Sequence, residues 1–279
     1  MTVNEFKTKA INALSKITDN PRFETEQLLM WALGVNKNEL LMKRRESLSA
    51  AKISQLSKAL ERRLEREPLQ YICGEWDFFG LRMFCGKGCL IPRPETEMLA
   101  EYAIKMLPRG GHLLDLCTGS GCISVSVLNN RPDVTATAVD ISEKALKYAR
   151  KNAEYHGITP ELLEFVCCDI LDFVPIQIPD VIVSNPPYIK TDDIPKLEPE
   201  VLHEPYIALN GGHDGLEFYK IIACRYQKYL KDNGCILLEV GYDIAREVNA
   251  IFHSKKFTTK LITDTFGIER VCCAVKTEL

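Results

Sequence analysis

Five apolar runs, at 112–117, 134–140, 163–168, 181–184 and 235–240, are too short for helices and show little polar alternation. Near-continuous apolarity of that length predicts strands buried on both faces of a sheet. Most of them are separated by segments of a different period. Residues 122–129, 142–155, 216–230 and 244–252 place apolar side chains three and four apart, as amphipathic helices do. Strand and helix alternating in this way predict an α/β fold with a doubly wound, mostly parallel sheet. Runs at 257–262 and 271–275 are joined only by a short loop around Gly267, so they should pair antiparallel. The expected architecture is a seven-stranded sheet ending in an antiparallel hairpin.

The first ~70 residues carry only the helical period. Phe6, Ala10, Ile11 and Leu14 share one face, Leu28 to Leu33 form a second cluster, and Ile53, Leu56, Leu60 and Leu64 a third. Asp19-Asn20-Pro21 and Gly34 read as caps and stops. A small all-α bundle packed by Trp31 and its neighbours is expected. Gly80, between Trp76-Asp77-Phe78-Phe79 and Leu81-Arg82-Met83-Phe84, predicts a hairpin. A helix from Glu95 through Met98, Leu99, Tyr102, Ala103 and Met106 then leads into the sheet. The division predicted is 1–74 helical, 75–94 connecting and 95–279 catalytic.

Composition sharpens this picture in three ways. Hydrophobic residues make up 46% of 279 and charged residues 26%, which excludes a disordered chain. No apolar run approaches the ~20 residues of a spanning helix, and the N-terminus lacks a secretory pattern, so no membrane role and a cytoplasmic location are expected. Eleven cysteines form no even disulfide framework. The pairs Cys167-Cys168 and Cys272-Cys273 sit in strand-like runs and read as small core residues. Neither Cys85/Cys89 nor Cys117/Cys122 has companions completing a zinc set, so no metal is expected. Net charge is −3, with 13 Lys and Arg against 9 Asp and Glu in residues 1–74, so about +4 there and −7 beyond. That acidic remainder does not suit a nucleic-acid track.

Chemistry concentrates at two strand ends. After Leu113-Leu114-Asp115-Leu116, the turn Cys117-Thr118-Gly119-Ser120-Gly121 opens a helix, its glycines permitting close approach of backbone to a ligand. Asp140 ends the next strand, placed to accept both hydroxyls of a ribose. Gly119-x-Gly121 is half of a dinucleotide fingerprint, which makes NAD a competitor. However, Asp115 would repel a phosphate and favour an ammonium group, and Ser124 replaces the third glycine. An amino acid end, a ribose and an adenine fit better, as in S-adenosylmethionine, with Asp169 near the adenine amine.

The second strand end is Asn185-Pro186-Pro187-Tyr188, closing the run Val181-Ile182-Val183-Ser184. Two prolines fix φ near −65° and remove two donors, leaving a stiff corner that offers carbonyl oxygens, a carboxamide and a ring. Such a corner suits an –NH2 group on a planar conjugated centre: the Asn oxygen and the Pro186 carbonyl each accept one N–H, and Tyr188 covers the flat face.

These residues resemble class I S-adenosylmethionine-dependent methyltransferases, with Asp115-x-x-x-Gly119-x-Gly121 as first motif and Asn-Pro-Pro-Tyr as fourth. More narrowly, the chain resembles the HemK/PrmC family. Pro68-Leu69-Gln70-Tyr71-Ile72-x-Gly74, Ile91-Pro92-Arg93-Pro94-Glu95-Thr96-Glu97, Glu204-Pro205 and Ala208-Leu209-x-Gly211-Gly212-x-Asp214-Gly215-Leu216 carry that likeness. It implies methyl transfer to the N5 of a glutamine in the GGQ motif of peptide chain release factors, tuning translation termination and leaving S-adenosylhomocysteine. It also implies cofactor contacts at Asp115, Cys117, Thr118, Gly119, Ser120, Gly121, Asp140, Asp169, Ile170 and Asn185. Asn185, Pro186 and Tyr188 would be catalytic. The glutamine would lie on Asn185, Pro186, Pro187 and Tyr188, with Arg93, Thr96 and Glu97 shaping the wall. Cys117 departs from the family, which has glycine there. The bundle would grip the release factor, and a monomer is expected. A nucleic-acid methyltransferase acting on adenine N6 or guanine N2 shares Asn-Pro-Pro-Tyr and is the alternative, while a non-catalytic adaptor is a rival of another class.

Overall fold

A computed structural model describes residues 1–276. The backbone gathers into two units: Met1–Glu75 with Glu198–His203, and the rest of the chain from Trp76.

In the first unit α1 (Val3–Leu14) starts at a capping box in which Thr2 and Glu5 satisfy each other's backbone donors. Helix α2 (Pro21–Leu33) has proline in its first turn and stops at Gly34 in the left-handed conformation. Short helices α3 (Lys37–Met42) and α5 (Leu69–Cys73) flank α4 (Ala50–Leu64), which Ser49 caps. Phe6, Ala10, Leu14, Leu28, Leu29, Ala32, Leu56 and Leu60 form the buried core. Trp31 is not its centre: one position off the Leu28–Ala32 stripe, it is half-buried at the edge. The buried Arg63 guanidinium holds Glu24 at 2.7 Å and Glu200 at 2.8 Å, and Arg66 adds a second contact to Glu200 at 2.7 Å. Residues Glu198–His203 therefore pack with the helices, although they lie inside the stretch expected to be catalytic.

From Trp76 the second unit opens with a hairpin of strands β1 (Glu75–Phe78), whose first residue closes the first unit, and β2 (Leu81–Phe84). Phe79 and Gly80 both have positive φ, 53° and 72°, the type I′ geometry that follows strand twist. After α6 (Glu97–Met106) come β3 (His112–Leu116), α7 (Cys122–Asn130), β4 (Thr135–Asp140), α8 (Glu143–Tyr155), β5 (Leu163–Cys167) and β6 (Val181–Ser184). The chain continues through α9 (Tyr206–Leu209), α10 (Glu217–Arg225), β7 (Cys235–Glu239), α11 (Ala245–Ser254), β8 (Phe257–Thr263) and β9 (Glu269–Lys276). The segment read as one helix over 216–230 ends at Arg225, where Tyr226 turns its hydroxyl onto the Ile170 carbonyl.

The seven strands lie in the order β5-β4-β3-β6-β7-β9-β8, with β9 antiparallel to both neighbours and the other pairs parallel. Every residue of β3, β6 and β7 is buried, which is why these strands read as unbroken apolar runs. β5 is an edge strand, so Cys167 is exposed and Cys168 half-buried, contrary to a core role for that pair. Cys272 is fully buried on β9.

Candidate active site

Strand order reverses at β3, whose neighbours are β4 and β6, and open α/β sheets bind ligands at such a switch point. Register determines what gathers there. Leu116 is level with Val139 on one side and Ser184 on the other, and Ser184 is level with Leu238. The next residue of each strand therefore emerges in a row: Asp140, Cys117, Asn185 and Glu239.

A single cavity opens above this row. Its walls include Thr118, Gly119 and Ser120 of the loop, Asp140, Asp169, Ile170, Asn185 and Pro187. The Asp140 carboxylate accepts from the Gly119 N–H and the Ser142 N–H, both at 2.8 Å, and burial raises its pKa. Each oxygen keeps a lone pair free for a hydroxyl. Asp169 accepts from the Leu171 N–H at 2.8 Å. Gly119 has φ 58°, and a Cβ built on it would meet no protein atom within 4 Å. The backbone there borders the open space of the cavity.

Asp115 was expected on this wall and is beneath it instead. It is fully buried, and one oxygen accepts hydroxyls from Thr118 and Ser124 at 2.6 Å each. Its other oxygen is a buried acceptor without a partner, and burial pushes the pKa up to about 6. The carboxylate thus ties the loop to the first turn of α7. Gly121 also lies off the wall: φ is 74°, and a Cβ would come within 3.0 Å of Ala149 Cβ, so the loop can sit on α8 only without one. Asn152, also on α8, donates to the Ser120 carbonyl at 2.9 Å and braces the loop from behind. Cys117 holds φ 58° as a non-glycine residue, and burial raises its thiol pKa.

Asn185 and Pro187 face the cavity, whereas Pro186 and Tyr188 do not. Tyr188 packs on Gly241, half-buried, with its hydroxyl pKa raised by burial. The corner is clamped by the Gly-Gly-x-Asp-Gly segment. Ile189 N–H donates to the Leu209 carbonyl at 2.9 Å, and Gly211 N–H to the Ile189 carbonyl at 2.8 Å. A Cβ on Gly211 would lie 2.6 Å from Tyr188 Cα, and one on Gly215 2.5 Å from the Tyr188 carbonyl oxygen. Those glycines are required by close backbone packing rather than by a turn alone.

Thr96 is buried and accepts a hydrogen bond from Asn185 Nδ2 at 3.1 Å. Arg93 lines the cavity and pairs with the buried Glu204, which also accepts from the Ile91 N–H at 2.9 Å. Glu97 does not reach the wall; it accepts the Phe79 N–H at 2.8 Å and fixes the hairpin turn. Missing from the sequence reading are Leu90, Ile91, Ile141, Ile207 and Phe218, which supply apolar wall from four separate segments. Two of these had a local signal: Ile141 directly follows Asp140, and Ile91 opens the Ile91–Glu97 motif.

A glycine loop, a strand-end carboxylate and an Asn-Pro-Pro corner at this switch point define a class I methyltransferase. The same fold is seen in a methyltransferase from Pyrococcus furiosus, with TM-score 0.54 and 18% identity, over 82% of this chain and all of that one. Residues 94–211 match the methyltransferase small domain and residues 5–74 the PrmC N-terminal domain. A release factor glutamine methyltransferase from Thermodesulfovibrio yellowstonii is 38% identical, with 97% of this chain and 99% of that one covered. Another, from Geobacter sulfurreducens, is also 38% identical, over 92% and 90%. The chain belongs to the release factor glutamine methyltransferase family.

Proposed function

We propose that this enzyme moves the methyl of S-adenosylmethionine to the side-chain amide nitrogen of a release factor glutamine, using the row Asp140–Asn185 as its working face. The observation that carries this reading is the single cavity joining the glycine loop to Asn185. Asp140 has free lone pairs for ribose hydroxyls, the bare Gly119 backbone admits a close ligand, and Asp169 with Ile170 suits an adenine. The cofactor, when bound, supplies an activated methyl on a sulfonium. Residues 1–74, with their excess of Lys and Arg, are assigned to gripping the protein substrate.

An amide nitrogen is a poor nucleophile because its lone pair is delocalised. Asn185 Oδ1 is assigned one N–H group and the Pro186 carbonyl, off the lining itself but between the lining residues Asn185 and Pro187, is assigned the other, turning that lone pair towards the methyl. With the cofactor bound, the methyl would pass to the amide nitrogen held at Asn185, the bonding pair would leave with the cofactor's sulfur, and the nitrogen would gain positive charge. Both acceptors then bind more strongly, which is where transition-state stabilisation arises. The extra proton leaves the nitrogen for solvent. Positioning of this kind can supply as much as ~7–11 kcal/mol. Tyr188 and Pro187 stiffen the corner.

Asn185→Ala tests this reading on intact release factor. The expected result is a kcat lower by at least ~100-fold with cofactor Kd changed by less than ~3-fold, the signature of an interaction made in the transition state. Equal loss of both would make Asn185 a cofactor ligand and overturn the assignment.

A further inference from the structure

One buried acid at the site is not used by that chemistry. Glu239 ends β7 and is 3% exposed, and its Oε2 accepts the Thr96 hydroxyl at 2.5 Å. Thr96 Oγ1 in turn accepts from Asn185 Nδ2 at 3.1 Å. The three groups come from positions 96, 185 and 239, assembled by the turn before α6 and by the level ends of β6 and β7. A carboxylate can only accept, so a hydroxyl beside it donates to it and offers its own oxygen to the next donor. On the Asn185 side chain the only donor is the –NH2. The order Asn185 → Thr96 → Glu239 therefore has a single sense, and it turns Asn185 Oδ1 away from Thr96.

We propose that Glu239 is a positioning residue for methyl transfer: acting through Thr96, it fixes the flip state of the Asn185 carboxamide so that Oδ1, not the –NH2, meets the substrate amide. This rests on the assignment of Asn185 Oδ1 to the glutamine N–H. Without a defined sense, a carboxamide is free to present donors to donors, which misaligns the target amide while the remote contacts that bind the protein substrate stay in place. A buried acid without a counter-ion in hydrogen-bond contact is costly to keep. Here that cost sets the polarity of a catalytic amide.

The charged and titratable groups facing Glu239 are Glu95, Arg93 and Arg270, with Tyr188, Tyr219 and Cys122 around them. Burial pushes its pKa up to about 7, with Glu95 also raising it and the two arginines opposing. A protonated Glu239 can itself donate to Thr96, and the sense is lost. Activity should therefore fall as pH drops below neutrality, and that limb should vanish when Glu239 is replaced by a non-titrating residue.

The test uses full-length enzyme, intact release factor and S-adenosylmethionine, with kcat, KM and cofactor Kd measured separately. Thr96→Val and Glu239→Met should each lower kcat ~10-fold or more, with KM and cofactor Kd within ~3-fold. Thr96→Ser, which keeps the hydroxyl, should restore kcat to within ~3-fold. The double variant should be no worse than either single one, because the chain acts as a unit. Should Glu239→Met fail to fold, Thr96→Val against Thr96→Ser, and the acid limb in Glu239→Gln, carry the test. If Asn185→Ala is inactive while Thr96→Val and Glu239→Met, or the limb and the Val/Ser pair, match wild type, positioning by Glu239 is refuted and the Asn185 assignment stands. If Asn185→Ala keeps its kcat, that assignment itself falls.

Discussion

The two sides of the cavity are built on opposite plans. The glycine loop is held mainly by residues near it in sequence: Asp115 takes the Thr118 and Ser124 hydroxyls, and Asp140 takes the Gly119 N–H. The Asn-Pro-Pro-Tyr corner adds to the backbone at Gly211 and Gly215 two residues far along the chain: Thr96, and behind it the acid Glu239. A cofactor loop of fixed shape can be encoded in two consecutive βα units, β3-α7 and β4-α8. Orienting a substrate amide needs constraints from several directions, and only tertiary structure provides them.

The largest way to break the corner without touching Asn185 is Gly211→Ala. Its Cβ would fall 2.6 Å from Tyr188 Cα and 2.8 Å from the Pro187 carbonyl oxygen, so backbone must move. Misplacement of about 1 Å can cost ~100-fold in rate. A kcat loss of that order, with cofactor Kd nearly unchanged, is expected. A matching loss of cofactor affinity would mean the two sides are not separately held.

Gly121→Ala strikes the other side. A left-handed φ of 74° and a 3.0 Å approach to Ala149 Cβ together should cost ~2–4 kcal/mol of stability. Thermal unfolding should report it, and cofactor affinity should drop more than kcat. Retention of wild-type affinity would show that the loop tolerates displacement from α8.

Buried titrating groups predict how stability follows pH. Glu239 and Asp115 have folded pKa values raised by burial to about 7 and about 6. Their contribution to stability is full below the ordinary carboxylate range and is lost as pH rises through those values. His112 runs the other way: burial lowers it from 6.5 to about 4, so its contribution is lost as pH falls across that interval. The unfolding temperature should decline from pH 6 to pH 8, less steeply in Glu239→Gln. A flat profile would show that neither acid is held protonated by the fold.

The smallest effect is expected at Cys117→Gly. Relief of a left-handed non-glycine residue, about 1–2 kcal/mol, is offset by chain entropy of about 0.5–1 kcal/mol. A net stability change near 1 kcal/mol or less should follow, with little effect on activity. A large gain in cofactor affinity would show that the thiol narrows the cavity.

Legibility in the sequence follows the same divide. β3, β6 and β7 were visible because burial on both faces leaves unbroken apolar runs, and Asp140 was visible because a strand end follows a glycine loop at a set distance. Asp115 was seen but misplaced: a strand-end acid reads alike whether it faces a ligand or sits beneath the loop. Glu97 was assigned to the wall through its neighbours, although its carboxylate serves the hairpin 18 positions earlier. Trp31 was over-weighted by its size. Glu239 left no local trace at all, since only the order β6-β7 and the level of Ser184 with Leu238 bring it beside Asn185.

The central claim is that Asn185 presents its oxygen to the glutamine amide while its nitrogen stays on Thr96. A crystal structure of the enzyme with S-adenosylhomocysteine and an intact release factor tests it most directly. The target nitrogen should lie ~3 Å from the Asn185 side chain and from the Pro186 carbonyl, facing the sulfur, with the Thr96 contact kept. A glutamine bound away from Asn185, or an Asn185 swung off Thr96 to reach it, would contradict the account.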